Sequence, residues 1–357
     1  MTTSSSSSAT AARDQGVLVL GGMHRSGTSL LASLFEGAGV WVGTRLLGSG
    51  TGNDVGHFED LDFQEFHQRA LVGNGLSAEG FTADALPRVP EPLHAEALRI
   101  VDDRRRQGGV WGWKDPRTVL FLDFWAERLP DARYVFVFRR PWEVVDSFFR
   151  RGDPAFTCHP QLAARVWLHY NRRILAFIQR HPERCLIRET TQVATDPREL
   201  FAAVRGRFDV PVGDPAERYR PELLGGDADG RRAQLLAAAC PEAIELYRVL
   251  CGLAGSEPPA VPATSLPTSE LAVQEWARAA RLERENDEVR REWMNIRAAA
   301  DAELATLRAR LASWAVAAED IQKAVQALAE NHRIDQSFAD RLTELRHGEQ
   351  TPQARAA

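Results

Sequence analysis

The sequence has little cysteine, no long apolar run and no metal-ligand spacing, and each shortage excludes a class of protein. Its four cysteines, Cys158, Cys185, Cys240 and Cys251, stand far apart with no CxxC pair. This argues against a disulfide scaffold or zinc ribbon and predicts free, buried thiols in a reducing cytosol. No run approaches the roughly 18 apolar residues of a membrane span. The start, MTTSSSSSATAARDQG, has neither a basic head nor an apolar stretch, so it does not read as a secretory signal. The nine histidines contain no HExxH or similar spacing. A net charge of −5 provides no broad attraction for nucleic acid or an anionic membrane, so affinity for a polyanion has to be local. The expectation is a cytoplasmic protein without a membrane span, a nucleic-acid partner or a bound metal.

What is present divides the 357 residues into five parts. Residues 1–14 are a Ser/Thr/Ala-rich tail expected to be disordered. Residues 15–255 alternate short apolar runs with helical patterns and show no internal repeat. Residues 256–269, SEPPAVPATSLPTS, read as a linker. Residues 270–348 contain almost no Gly or Pro and read as one long helical region, with a disordered tail at 349–357. In the second part, Val17-Leu18-Val19-Leu20 suits a strand buried on both faces, as does Tyr134-Val135-Phe136-Val137-Phe138, and Cys185-Leu186-Ile187 suits a weaker third. Helices are predicted at 28–38, 91–107, 142–151 and 161–180. Strands alternating with helices imply an α/β fold: a P-loop-like parallel sheet with helices on both faces. Ligands of such sheets sit at the carboxyl ends of the strands.

Two motifs fall there. After the first strand comes GGMHRSGTSLLASLF. A Gly-rich turn entering a helix aims several backbone N–H groups and the positive end of the helix dipole at one point, which suits an anion. Gly22 and Gly27 keep the spacing of the loop GxxxxGK[ST], but Thr28-Ser29 follows where its lysine belongs, and the cation is inside the loop at Arg25. That lysine spans the β- and γ-phosphates of a nucleoside triphosphate, and the hydroxyl after it holds magnesium. An internal Arg with paired hydroxyls suits a shorter anion. Taken alone, the loop leaves three readings open: an unliganded turn, a nucleoside-triphosphate loop or a phosphosulfate loop. The second motif begins at Arg139, at the end of the second strand. Pro141 suits the first turn of the next helix, and Ser147 follows two turns in, on a face able to turn back towards the strand end.

Together these motifs resemble the PAPS-dependent sulfotransferase family (bacterial sulfotransferase-like proteins, related to tyrosylprotein sulfotransferases). Its 5′-phosphosulfate loop reads approximately [KR]-x-G-[TS]-[TS], and Arg25-Ser26-Gly27-Thr28-Ser29 matches each position. Its 3′-phosphate site is an Arg at a strand end and a Ser eight residues later, the spacing of Arg139 and Ser147. Two further segments extend the resemblance. Trp111-Gly112-Trp113-Lys114-Asp115-Pro116 is similar to a KDP segment whose Lys reaches the transferring sulfuryl oxygens. Asn53-Asp54-Val55-Gly56-His57-Phe58-Glu59-Asp60 is similar to N-P-x-G-[FYH]-[FW]-E, with Asp54 in place of the Pro. The resemblance covers roughly residues 15–200. It departs at Leu186-Ile187-Arg188-Glu189-Thr190-Thr191, where many members carry R-Y-E-D-L; no Tyr stands there, and no adenine-stacking residue is assigned.

The resemblance implies transfer of a sulfuryl group from 3′-phosphoadenosine 5′-phosphosulfate (PAPS) to a hydroxyl acceptor by in-line displacement without a metal. Arg25, Ser26, Gly27, Thr28 and Ser29 would hold the 5′-phosphosulfate, and Arg139 and Ser147 the 3′-phosphate. Arg25 and Lys114 would neutralise the sulfuryl oxygens and leaving phosphate, and Glu59 would take the acceptor's proton, with His57 as rival base. His24 is expected to shape the loop. The acceptor implied is a glycan, a lipid-linked glycan or another small molecule. Two alternatives remain: a P-loop small-molecule kinase, and a catalytically decayed scaffold carrying a coiled coil.

Other features read more plainly. Arg104-Arg105-Arg106 is expected to be a solvated helix end, and the nine tryptophans to serve packing. In the C-terminal region Leu282, Asn286, Val289, Trp293, Ile296, Ala300, Leu304, Leu307, Leu311, Trp314, Ala318, Ile321, Val325 and Leu328 step by fours and threes, with a stutter of two fours at Ile296–Ala300–Leu304. This heptad pattern predicts a coiled coil through which the chain homo-oligomerises. Packing on the same chain, or docking of another protein, are the other uses of such a face.

Overall fold

Val17, Leu18, Val19 and Leu20 are fully buried in the central strand β1 (Asp14–Gly21). A strand covered on both faces needs no polar alternation, so the run is unbroken. The computed structural model describes residues 14–48, 58–215, 230–261, 270–332 and 336–348. After β1 come α1 (Thr28–Gly37), α2 (Leu61–Gly73), α3 (His94–Arg105), β2 (Gly109–Lys114), α4 (Leu122–Arg128), β3 (Arg133–Phe138), α5 (Pro141–Arg151), α6 (Pro154–Cys158) and α7 (Gln161–Arg180). Then follow β4 (Cys185–Glu189), α8 (Thr190–Thr195), α9 (Pro197–Phe208), α10 (Gly230–Ala239), α11 (Pro241–Ala254), α12 (Glu270–His332) and α13 (Gln336–Gly348). The strands form a parallel sheet in the order β2-β1-β3-β4.

Alternate side chains of the strands feed two separate cores. Val17, Val19, Trp111, Trp113, Tyr134 and Phe136 pack under α2, α4 and α7 on one face, while Leu18, Leu20, Val135 and Val137 pack under α1 and α9 on the other. The chain leaves β1 towards β2 on one side and returns to β3 on the other. The carboxyl ends of β1 and β3 therefore flank the switch point at which open α/β sheets bind ligands.

The predicted helices agree with α1, α3, α5 and α7 to within three residues at each end. Strand β2 was not expected. Its sequence, GVWGWK, carries two glycines that mask the β pattern. Gly112 is needed because a Cβ there would lie 2.0 Å from the carbonyl oxygen of Leu18 on the neighbouring strand. Helix α2 was also missed. It begins on Asp60, whose Oδ1 accepts from the Asp62 N–H at 3.0 Å as an N-cap.

One expectation is corrected outright. Arg104 does not end a solvated helix: it is buried, and its guanidinium donates to both oxygens of Asp60 (2.7–3.1 Å) and to Asp62 (2.5 Å). The cation at the end of α3 thus neutralises the cap of α2, a tertiary pairing invisible in the helix pattern. Only Arg105 and Arg106 behave as outer residues, in pairs with Asp131 and Asp103. Replacing Asp60 by alanine should destabilise the protein by roughly 3–5 kcal/mol, since it strands a buried guanidinium and removes a cap. Urea unfolding checks this; a loss below 1 kcal/mol, about the value of an exposed pair, would contradict it. The cysteines differ in one position: Cys185, Cys240 and Cys251 are buried, but Cys158 is exposed, and all four are free.

The chain divides into two compact units, one ending at Arg284 and the other starting at Glu285. The first turns of α12 belong to the first unit. Val273, Trp276, Ala277 and Ala280 are buried there, and Trp276 Nε1 donates to Asp146 Oδ1 at 2.9 Å. Among the described residues no helix is long and apolar enough to cross a membrane.

Candidate active site

The turn after β1 bends sharply before α1. Arg25 has φ 65 and Gly27, the N-cap of α1, has φ 81. For a non-glycine residue this left-handed conformation costs on the order of 1–3 kcal/mol, and such cost is held where surrounding structure fixes it. Here it is fixed by Thr190 at the end of β4. Its Oγ1 donates within reach of two carbonyls, Ser26 O at 2.6 Å and Phe138 O at 2.9 Å, binding the loop to the end of β3. The contact is so close that a Cβ on Gly27 would sit 2.4 Å from Thr190 Cγ2. Thr28 is buried, Ser29 half-buried, and Ser26 Oγ is buried without a partner.

Arg25 points towards α5, where its Nε donates to Ser147 Oγ at 2.9 Å. The two motifs read separately in the sequence therefore meet. Burial, then Arg151 and Arg139, push the Arg25 guanidinium down to about 10. Positive charge outweighs negative around it, and an anion placed there would reverse that shift. Arg139 is at the carboxyl end of β3, with its Nε donating to Glu143 Oε2 at 2.6 Å and its carbonyl accepting from Trp167 Nε1 at 3.2 Å. Arg151, one turn beyond Ser147, was not singled out from the sequence; it pairs with Asp153 at 3.3 Å.

A second cluster forms at the end of β2. Lys114 Nζ donates to Glu59 Oε1 at 3.0 Å, and both side chains are buried. Gln64 Nε2 donates to Glu59 Oε2 at 3.0 Å, and Arg117 Nη1 lies 3.5 Å from the same oxygen. Glu59 is positioned locally because it precedes the cap of α2 and because residues 46 and 60 form an antiparallel bridge. Of the neighbouring acids, Asp60 serves Arg104, and Glu65 lies exposed beside Arg45. Burial pushes the Lys114 ammonium below its ordinary value, against the pull of Glu59. The rival base His57 and the segment 53–57 lie outside the described residues.

Beneath this pair is a support that sequence reasoning missed. Asp115 is fully buried between Arg117 Nη1 (3.0 Å) and His67 Nδ1 (2.7 Å). Burial disfavours its charge, but Arg117 and His67 outweigh burial and hold the carboxyl well below the usual range. Trp125 Nε1 donates to His67 Nε2 at 2.9 Å. Indole nitrogen is only a donor, so His67 Nε2 accepts and Nδ1 carries the proton donated to Asp115. Arg117 also donates to Ala78 O at 2.8 Å and Glu79 Oε2 at 3.1 Å, joining the loop after α2 to Glu59. A lone His and an Arg three residues past the KDP lysine give no local signal of this meeting. The His24 ring packs edge-on to Phe81 and Tyr170. Burial, then Arg117, keep its imidazole well below the usual range.

Near the missing R-Y-E-D-L tyrosine, a tyrosine arrives from elsewhere in the chain. Tyr247 of α11 donates to Glu189 Oε1 at 2.7 Å at the end of β4. It is buried, so it supplies no exposed stacking face.

All four strand ends thus carry candidate residues on one edge of the sheet: Arg25, Lys114, Arg139 and Thr190. This chain is similar to sulfotransferase domains of known structure. The sulfotransferase domain of the Synechococcus PCC 7002 olefin synthase matches at 20% identity and TM-score 0.36, over 75% of this chain and 94% of that one. The sulfotransferase domain of the curacin biosynthetic pathway matches at 17% identity and TM-score 0.36, over 75% and 98%. A sulfotransferase from Mycobacterium tuberculosis H37Rv matches at 17% identity and TM-score 0.31, over 56% and 68%. No family model matches the chain, and no curated protein matches it in sequence. At these identities and TM-scores any functional reading rests on the chain's own residues.

Proposed function

We propose that the chain is a PAPS-dependent sulfotransferase that moves a sulfuryl group to a hydroxyl acceptor. The observation that carries this reading is the meeting of Arg25 and Ser147 at 2.9 Å across the crevice between β1 and β3. It unites a phosphate-type loop with a second anion-binding helix, as a ligand with phosphate at both its 3′ and 5′ positions requires. Residues 25–29 hold the 5′ end, and Arg139 and Ser147 the 3′-phosphate. Arg25 and Lys114 neutralise the charge that grows on the leaving phosphate, the part a magnesium ion plays in kinases.

The chemistry is a displacement at sulfur. The acceptor oxygen forms a bond to sulfur while the bond from sulfur to the 5′-phosphate oxygen breaks, and the acceptor proton passes to Glu59. Adenosine 3′,5′-bisphosphate and the sulfate ester leave. Lys114, hydrogen-bonded to Glu59, keeps this carboxylate and the sulfuryl oxygens in one electrostatic unit. A kinase reading is disfavoured by Asp115. It follows a strand, where a metal-holding carboxylate would stand, but Arg117 and His67 already occupy it. We take the acceptor to be a glycan, a lipid-linked glycan or another small hydroxyl compound, the protein to be cytoplasmic, and residues 270–348 to be its homo-oligomerisation segment.

Calorimetric titration with adenosine 3′,5′-bisphosphate tests the donor site, with adenosine 5′-phosphate and ATP–magnesium as controls. The bisphosphate should bind well above both. Arg139→Ala should weaken it by roughly thirtyfold or more, the effect of truncating one member of a charge-assisted phosphate contact. Equal binding of adenosine 5′-phosphate, or preference for ATP–magnesium, would remove the reading.

A further inference from the structure

The second unit exposes an apolar row. Val289, Trp293, Ile296, Leu304, Leu307, Leu311, Trp314 and Ile321 are 45–65% exposed along α12. They step by fours and threes, the spacing of one face that winds about another helix. Within this unit, among the described residues, the distal end is covered: Arg346 of α13 donates to Gln322 Oε1 at 2.7 Å, and Val325 is half-buried. Within the same unit no described residue buries the row from Asn286 to Ile321.

The charges beside the row identify what covers it. With Asn286, Trp293, Ala300, Leu304 and Leu311 at position a, and Val289, Ile296, Leu307 and Trp314 at d, the g positions include Glu285, Glu292 and Glu303. The e positions include Arg290, Arg297 and Arg308. In a parallel, in-register pair each g residue faces the e residue five positions on in the other helix. Each of the three glutamates then meets an arginine: Glu285 with Arg290, Glu292 with Arg297, and Glu303 with Arg308, each pair occurring twice by symmetry. An antiparallel pair sets g against g and e against e, so glutamates meet chiefly glutamates and arginines chiefly arginines. Of these six residues Arg297 also approaches Asp301 on its own helix, at 4.0 Å, an exposed and long contact.

We infer that the exposed row of α12 is the seam of a parallel, in-register homodimer, with Glu285, Glu292 and Glu303 of each copy paired to Arg290, Arg297 and Arg308 of the other. This rests on residues 270–348 being the homo-oligomerisation segment and adds its orientation and register. Asn286 then faces its own copy at an a position, where a buried polar pair selects one register over slipped alternatives.

Single cysteines read the orientation in the full chain. In a Cys158→Ser background, which removes the exposed thiol, Val289→Cys and Ile321→Cys are made separately. These positions lie roughly 50 Å apart along one helix, far beyond disulfide reach. Under mild oxidation each variant should form a disulfide-linked dimer with itself. Self-linking at one position only, or at neither while mixed variants link 289 to 321, overturns the parallel register. Light scattering tests the underlying reading separately: a mass of one 39.7 kDa chain at high micromolar concentration removes the dimer altogether. A charge exchange is the second check. Glu285→Arg/Glu292→Arg/Glu303→Arg and Arg290→Glu/Arg297→Glu/Arg308→Glu should each self-associate on the order of tenfold more weakly, and an equal mixture should recover wild-type affinity as a heterodimer. Unchanged self-association of both would overturn the pairing.

Discussion

Exchange of Glu59 for glutamine should lower kcat by roughly 10²–10⁴-fold, the usual contribution of a positioned general base, while the bisphosphate binds almost as before. The substitution keeps the side-chain shape and one oxygen for Gln64 or Lys114, but removes the charge that accepts a proton. A purely structural role would give another pattern. Lys114 is buried against Glu59, so losing the counter-charge also costs stability, and thermal unfolding has to be measured beside kinetics. Transfer of labelled sulfuryl from PAPS to a glycan acceptor, at a temperature where both proteins are folded, separates the two. Loss of turnover in a folded variant that still binds the bisphosphate marks Glu59 as the base. Near-normal turnover in the folded variant would assign the base elsewhere, with His57 first in line.

The second large effect is expected at Arg25. Arg25→Ala should reduce kcat by about 10²–10³-fold, the range found when one preorganised donor to a developing negative charge is removed. It should also weaken the bisphosphate. Arg25→Lys restores a charge but not the planar fork that bonds Ser147 and an anion together, so it should recover only part of the loss. The left-handed backbone at this position makes Arg25→Gly informative as well. It relieves the strain, so a gain in stability combined with loss of turnover would show strain held for the site. Full activity of Arg25→Ala would end the assignment of this loop to the transferring group.

The two units differ in how far local pattern reaches. In the first, a run such as 17–20 or 134–138 is buried on both faces, so hydrophobicity alone marks it, and the glycine turn and Arg139 stand out because ligands of such sheets sit at strand ends. In the second, heptad spacing and the alternation of Glu and Arg are both properties of one helix and are written along it. Strand β2 carries no clear β pattern because its Gly112 answers to the backbone of β1, a neighbour about ninety residues away in the chain.

By itself the sequence determined the α/β alternation, the loop at 22–29, the Arg139–Ser147 spacing and the apolar row of α12, all of which follow from chain-local periodicity and turn chemistry. Only the tertiary structure decided which charges meet. It buried Arg104 against Asp60, joined Lys114 to Glu59 across fifty-five positions, set His67 under Asp115 and pressed Thr190 against Gly27. Each of these is a pairing between elements far apart in the chain. A buried charge or hydrogen-bonding group must find a partner wherever the fold places one, and spacing along the chain carries no record of that choice.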